Sequence, residues 1–332
     1  MSDFFEEEMF EEREPEPEPA EEPPRRRRGR DDDGEKRRRR GKRRRGRKGP
    51  RRGAEEPKPR KKRLGGGGGG ETTRRILIAI PAIIFAIAIT VAGDWVFALA
   101  MIAIGILCLR EYLEMTATAR PLAIPAYAAV AAMVVAAHVG TSYSVLLVFA
   151  ASFPVLFAFG ADAKHRDGVT VSIAVTLLGI VWIGIPLAHA VFLRDLPSHG
   201  AALLIDVLVG TFVTDTAAYA TGRMFGSHKI APNLSPNKTV EGLIGGFVIG
   251  TMGFWFAGLY QNWLSGADAL IIGAAVAAIA PVGDLFESML KRDLGKKDTG
   301  TIFGPHGGIL DRLDAVLFTV VVGYYLAVAL VY

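Results

Sequence analysis

Cysteine is almost absent from this chain: Cys108 stands alone among 332 residues. One thiol excludes an intrachain disulfide and a cysteine-based zinc site. Cys108 lies within an apolar run, where it reads as a small residue facing lipid or a neighbouring helix. Histidine is also scarce, and His138, His165, His189, His199 and His228 show no metal-ligand spacing. The sequence equally lacks the interleaving of charged and apolar residues that marks a soluble domain. Residues 1–70 hold 24 of the 39 Lys/Arg and 17 of the 34 Asp/Glu, so this segment carries +7 and the remainder −2. That remainder consists of long apolar runs with brief polar breaks, many of them near the ~20 residues a helix needs to cross a bilayer. A soluble single-core domain is excluded.

Residues 1–70 open with an acidic, proline-spaced stretch (Glu14 to Pro19), pass through arginine blocks (Arg25 to Arg28, Arg37 to Arg40, Arg43 to Arg45) and end in six glycines, Gly65 to Gly70. Such a segment has too little apolar surface to offset its ordering entropy and reads as a disordered tail, distinct from a membrane domain over 71–332. With ~70 polar residues before the first apolar run, it does not read as a signal peptide. Its basic blocks suit a solvated tail, anionic lipid head groups or nucleic acid. Arg60, Lys61, Lys62, Arg63, Arg74 and Arg75, close to the first apolar run, favour lipid. No aromatics interleave the arginines as a base-stacking site requires, so no nucleic acid is expected.

Nine apolar stretches follow, at about 76–92, 95–110, 121–139, 142–160, 169–193, 200–222, 240–261, 267–290 and 313–331. The expected fold is an all-α polytopic integral membrane protein of about nine transmembrane helices. With a cytoplasmic amino terminus, fourteen of the fifteen basic residues beyond residue 70 fall on the inside, and only Arg194 falls outside. This matches the cytoplasmic excess of Lys and Arg. A multi-pass cell-membrane protein with its polar chemistry on the cytoplasmic side is the expectation.

That chemistry is concentrated in two inside segments. The eighth stretch ends by placing Asp284, Glu287, Ser288 and Lys291 on one helical face, at i, i+3, i+4 and i+7. Ionisable groups within a span are costly and point to function; Lys291 and Arg292 at the helix end also suit simple interfacial charge, whereas Asp284, about two turns in, does not. The loop that follows alternates Lys291, Arg292, Lys296 and Lys297 with Asp293 and Asp298 among glycines. That mixture suits a polyphosphate bound with a divalent cation. Asp311 and Asp314 face one way as the last stretch begins, either as part of this site or as N-terminal capping groups. His306 reads as a turn residue or a phosphate donor. In the other segment, Asp215 and Tyr219 share a face ahead of Arg223. Ser235, Asn237, Lys238, Thr239 and Glu241 cluster at a helix start, which suits an anion, although Ser-Pro-Asn also makes an ordinary turn. Phosphate loops of the Gly-x-x-x-x-Gly-Lys-Ser/Thr type and the His-x-Gly-His element of soluble nucleotidyltransferases are both missing, so any nucleotide is held on another scaffold.

From Ser288 to Asp314 the chain resembles the signature of the phosphatidate cytidylyltransferases (CDP-diacylglycerol synthases). Ser-x-Leu-Lys-Arg, then Lys-Asp, then His-Gly-Gly-x-x-Asp-Arg-x-Asp are matched by Ser288, Lys291, Arg292, Lys297, Asp298, His306, Gly307, Gly308, Asp311, Arg312 and Asp314. The Asp215 to Arg223 and Ser235 to Gly242 segments look like further elements of that family, so the resemblance covers roughly residues 75–332. It implies condensation of CTP with phosphatidic acid to CDP-diacylglycerol and pyrophosphate, with Mg²⁺, in phospholipid biosynthesis. It further implies Asp284 and Asp311 as metal ligands. Lys238, Lys291, Arg292, Lys297 and Arg312 would bind phosphates, with Asp298, His306 and Asp314 completing the catalytic set. Asp215, Tyr219, Arg223, Ser235, Asn237, Thr239, Glu241 and Ser288 would line the substrate site. A homodimer is a further family expectation. Two other readings compete: another CTP-using membrane enzyme such as a polyprenol kinase, and a transporter. The long signature argues against the first, and the clustering of acids toward one face, without internal repeats, against the second.

Overall fold

The computed structural model describes residues 68–332 apart from 162–166, 297–298 and 301–306, with side chains from residue 80 onward. The tail through residue 67, Lys297, Asp298 and His306 therefore lie outside the described residues. Helices α1 (Gly68–Ala92), α2 (Asp94–Met115), α3 (Ala123–Val139) and α4 (Ser142–Ala161) come first, with a 3₁₀ turn at Ala117–Ala119 between α2 and α3. Next, α5 (Val169–Gly179) continues through a π-helical turn (Ile180–Gly184) into α6 (Ile185–Arg194). After α7 (Gly200–Phe225) a short antiparallel hairpin, β1 (Lys229–Ala231) and β2 (Ser235–Thr239), leads to α8 (Val240–Gly258), α9 (Gly266–Asp293) and α10 (Leu310–Leu330). Among the described residues, seven helical segments, Val169–Arg194 counted as one, are long and apolar enough to cross a membrane, while α3 and the Ile80–Ala92 part of α1 are shorter apolar helices. Helices suit this sequence because every backbone polar group in a lipid-facing segment must be satisfied internally. The outer surface agrees: Ile84, Phe85, Leu146, Phe157, Ile244 and Phe256 are large, apolar and exposed.

The helices share two ends. At one, Ser172 of α5 donates to the Arg120 carbonyl, and Lys296, beyond α9, donates to the Glu114 carbonyl of α2. Arg292 of α9 meets the Leu234 carbonyl in the hairpin, and Lys238 pairs with Asp284. At the other, His138 of α3 lies between Asp94 of α2 and Asp195 after α6, and the Tyr332 hydroxyl donates to the Pro197 carbonyl. Arg194, set apart by the sequence, lies with this second group, paired to Asp195 at 3.0 Å.

Close packing between α7 and α8 positions half of the first end. Gly242, Gly246 and Gly250 recur every fourth residue along α8, all buried. A Cβ on Gly246 would lie 2.8 Å from the Ala218 Cβ and 3.0 Å from the Thr214 carbonyl oxygen of α7. Small-residue stripes of this kind let helix backbones approach within a bilayer, where no hydrophobic force between helices assists. Gly283 does the same between α9 and α10, since a Cβ there would sit 2.9 Å from the Ala315 Cα.

Candidate active site

Because α9 and α10 meet so closely at Gly283, the carboxylates beside it converge. Asp284 and Glu287 of α9 and Asp314 of α10 each offer an oxygen, all within 4.8 Å of one another. Glu287 is 1% exposed and Asp314 8%, so water screens them little. Of the Glu287 oxygens, Oε2 accepts from Lys291 Nζ at 2.9 Å, while Oε1 is buried with no hydrogen-bond partner. Asp215 of α7 adds a fourth negative group within electrostatic range of Asp284, Asp314 and Lys238. Three carboxylates this close, one of them with an unpartnered buried oxygen, form a donor set for a hard divalent cation of the Mg²⁺ type.

Lysines border this group. Lys238 Nζ lies 2.8 Å from Asp284 Oδ2 and 3.3 Å from the carbonyl of Pro281. Lys291 bridges Glu287 and Asp311, 2.8 Å from Asp311 Oδ1. Asp311, expected with Asp284 as a metal ligand, is not one of the three grouped carboxylates among the described residues, and Lys291 joins it to Glu287. Its oxygens are occupied by Lys291 and by the backbone N–H groups of Thr299 (3.1 Å) and Gly308 (2.7 Å). It holds the loop, as a carboxylate at a helix start does when amides point toward it.

Glu111 is not among the residues expected at the site. This buried α2 residue accepts from the backbone N–H of Ile309 at 3.1 Å and Leu310 at 2.9 Å and from the Thr299 hydroxyl at 3.4 Å. It thereby fixes the start of α10, where unpaired N–H groups concentrate positive potential. The glycines of the signature acquire reasons here. Gly307 has φ of 88°, a left-handed conformation that favours glycine, and at Gly308 a Cβ would lie 2.5 Å from the Thr299 hydroxyl, against Glu111.

The remaining expected residues divide. Ser288 donates to Asp284 at 3.3 Å, at the rim of the carboxylate group. Thr239 caps α8, its hydroxyl accepting from Gly242 N–H at 3.1 Å. Glu241 braces the hairpin by accepting from the Ser227 and His228 N–H groups and from His228 Nδ1 at 2.7 Å. Ser235 and Asn237 lie on β2, and exposed Tyr219 receives a hydrogen bond from Arg223 at 2.9 Å. Arg292 is exposed with Nε on the Leu234 carbonyl, and Arg312 is exposed on the first turn of α10. The segment between α7 and α8, expected as loop and helix start, thus contains a strand pair that carries Lys238 to Asp284.

A family model described as the cytidylyltransferase family matches residues 73–330. Among similar curated proteins, the phosphatidate cytidylyltransferase of Staphylococcus epidermidis is 31% identical over 255 residues, 74% of this chain and 94% of that protein. Its counterpart in Thermotoga maritima is 39% identical over 179 residues, covering 51% of this chain and 64% of the relative. The Haemophilus influenzae enzyme is 41% identical over 125 residues, 36% of this chain and 43% of its own length.

Proposed function

The chain belongs to the cytidylyltransferase family, and we propose on that premise that it condenses CTP with phosphatidic acid, forming CDP-diacylglycerol and pyrophosphate for phospholipid biosynthesis. The observation that carries this reading is the meeting of partly exposed Asp284 with buried Glu287 and Asp314 beside Lys238 and Lys291, among residues of the family signature. The phosphomonoester oxygen of phosphatidate attacks the α-phosphorus of CTP. The bond from that phosphorus to the oxygen bridging toward the β-phosphorus breaks, and pyrophosphate leaves with the electron pair. The attacking oxygen is already anionic near neutral pH, so no strong general base is needed.

The protein's task is to bring two polyanions together in line and to neutralise the leaving group. Mg²⁺, when bound by Asp284, Glu287 and Asp314, would supply charge neutralisation on the triphosphate. Lys238 and Lys291 border that group as cations already held in place, and Arg223, Arg292 and Arg312 add exposed guanidiniums for phosphate oxygens. Asp311 and Glu111 position the loop and the start of α10. The reaction end faces the cytoplasm in this reading, so CTP arrives from water while the acyl chains stay in lipid. The deciding experiment measures CTP-dependent pyrophosphate release by the purified protein in mixed micelles with phosphatidate, and in parallel with a polyprenol. Release with phosphatidate and labelled CMP in the lipid product is expected. No release with phosphatidate, with CDP and phosphorylated polyprenol formed instead, would overturn the assignment.

A further inference from the structure

A recess opens on the same end as the carboxylate group, and the reaction above uses none of its residues. It is an open cleft of about 430 Å³ between the last turns of α2 and the start of α3, lined by Arg110, Leu113, Glu114, Arg120, Pro121 and Tyr127. Arg110 and Arg120 thus border it together with the apolar Leu113 and Pro121. Lys296 of the signature loop donates to the Glu114 carbonyl at 3.1 Å, and Glu111, three residues earlier on α2, holds the start of α10. The same turns of α2 therefore serve both the cleft and the active site.

Arg120 is held there against its backbone preference. Its φ of 50° lies in the left-handed region, unfavourable for a residue with a Cβ. Two contacts from α5 fix it: Ser172 Oγ donates to the Arg120 carbonyl at 2.5 Å, and Thr176 Oγ1 accepts from Leu122 N–H at 2.9 Å. Strain of this kind persists only where surrounding contacts over-determine it, and it concentrates at ligand sites. Among the described residues, Arg110 is paired with Glu114, at 2.8 Å and exposed. Pairs of that type contribute little, so a phosphate that engages the guanidinium bidentately displaces Glu114 readily. Outside the cleft lie exposed Ile106 on α2 and Ile124 on α3. They suit acyl chains rather than a solvated ligand.

We propose that this cleft docks the phosphomonoester head group of a membrane lipid, namely the phosphatidate acceptor before its transfer to the carboxylate group. The proposal rests on the acceptor assigned above. A phosphomonoester matches two guanidiniums in charge, whereas a phosphodiester lipid presents a single negative charge.

The test compares the full chain with an Arg110→Gln/Arg120→Gln variant in phosphatidylcholine nanodiscs at increasing phosphatidate fraction. We expect the apparent KM for phosphatidate to rise roughly tenfold, as loss of charge-assisted bidentate contacts implies, with kcat and the KM for CTP unchanged. Arg110→Lys/Arg120→Lys should recover most of the affinity. In an Asp284→Asn background with CTP withheld, native mass spectrometry then counts retained phosphatidate without turnover, and the double Gln variant should retain one fewer. This arm reads the cleft even if phosphatidate were not the acceptor, so failure of the two assignments is distinguishable. An unchanged KM with unchanged retention would overturn the proposal. So would equal retention of phosphatidylglycerol, which indicates a general anionic-lipid site, or equal competition by millimolar inorganic phosphate, which indicates a soluble ligand.

Discussion

Glu287 and Asp311 differ in what their neighbours supply, and that difference separates their roles. Glu287 is buried with Oε1 unpartnered and two carboxylates close by, and the one ammonium it has, that of Lys291, is shared with Asp311. Asp311 has two backbone N–H groups besides that shared ammonium. Substituting Glu287→Gln or Asp284→Asn should keep the fold and lower turnover roughly 100- to 1000-fold, a size usual for lost electrostatic stabilisation, with the Mg²⁺ half-saturation point moved upward. For Asp311→Asn the expectation is a lower kcat at an unmoved Mg²⁺ half-saturation point. Titrating Mg²⁺ against pyrophosphate release for the three variants checks this, and identical shifts in all three would return Asp311 to the metal. Glu111→Ala strips the partners from three groups at once. An unsatisfied buried group costs about 1–3 kcal/mol, so a clear drop in the detergent melting temperature is expected, with Glu111→Gln restoring part of it. In the sequence Glu111 resembles any interfacial charge at the end of an apolar run. Its partners lie 198 and 199 positions away, a distance that no periodicity reports. Asp284 and Glu287 were legible because i, i+3 spacing on one helix is a local property, whereas the arrival of Asp314 depends on how closely α10 approaches at Gly283.

At the scale of elements, hydropathy places the helices because each apolar run is bounded by charge or by Gly and Pro breaks, and the observed ends fall within several residues of those expected. The second rod shows the limit of that signal. It continues through Arg110, Glu111 and Glu114 to Met115: Arg110 and Glu114 are exposed and reach out of the apolar layer, while buried Glu111 is satisfied by the start of α10, so none of them ends the helix. The hairpin Lys229–Thr239 was illegible as strands because Ser-Pro-Asn-Lys-Thr carries turn chemistry and little β propensity; its pairing is held by Glu241 at the base rather than by side-chain alternation. The contact between α7 and α8 yields a prediction at this scale. Gly246→Val places two extra carbons and a Cβ where Ala218 and the Thr214 carbonyl already stand. Overpacking costs about 1–3 kcal/mol, and here it also pushes α8, with Lys238 at its approach, away from Asp284. Lower thermal stability together with a raised KM for CTP is expected, while Ile244→Ala, on the exposed side of the same helix, should change neither. Equal effects from the two substitutions would remove the stripe as the cause.

For the whole molecule, chemistry and anchoring occupy opposite ends. The carboxylate group, the signature loop and the Arg110–Arg120 cleft share one end; the other is tied by His138, whose ring nitrogens lie 3.1 Å from Asp94 and 3.3 Å from Asp195 and whose ring meets Trp95 edge-on. Those contacts join the starts and ends of α2, α3 and α6 where Gly93 and Asp94 both take positive φ, so they hold a strained corner without reaching the reacting groups. Stability and catalysis should therefore separate by position. His138→Phe keeps the ring contact with Trp95 and deletes both polar ties, and is expected to lower the melting temperature while kcat and both KM values, measured well below that temperature, stay within about twofold, since distant sites without shared partners act nearly independently. Removing residues 1–70 probes the same separation from the other direction: catalysis in detergent should persist, and any loss should appear only in binding to vesicles rich in anionic lipid, where each Lys or Arg near the surface contributes about 1 kcal/mol. If the deletion ended turnover in detergent, the tail would belong to the active site; if His138→Phe raised the KM for CTP, the two ends would be coupled through α2, which runs from Asp94 at one to Glu111 at the other.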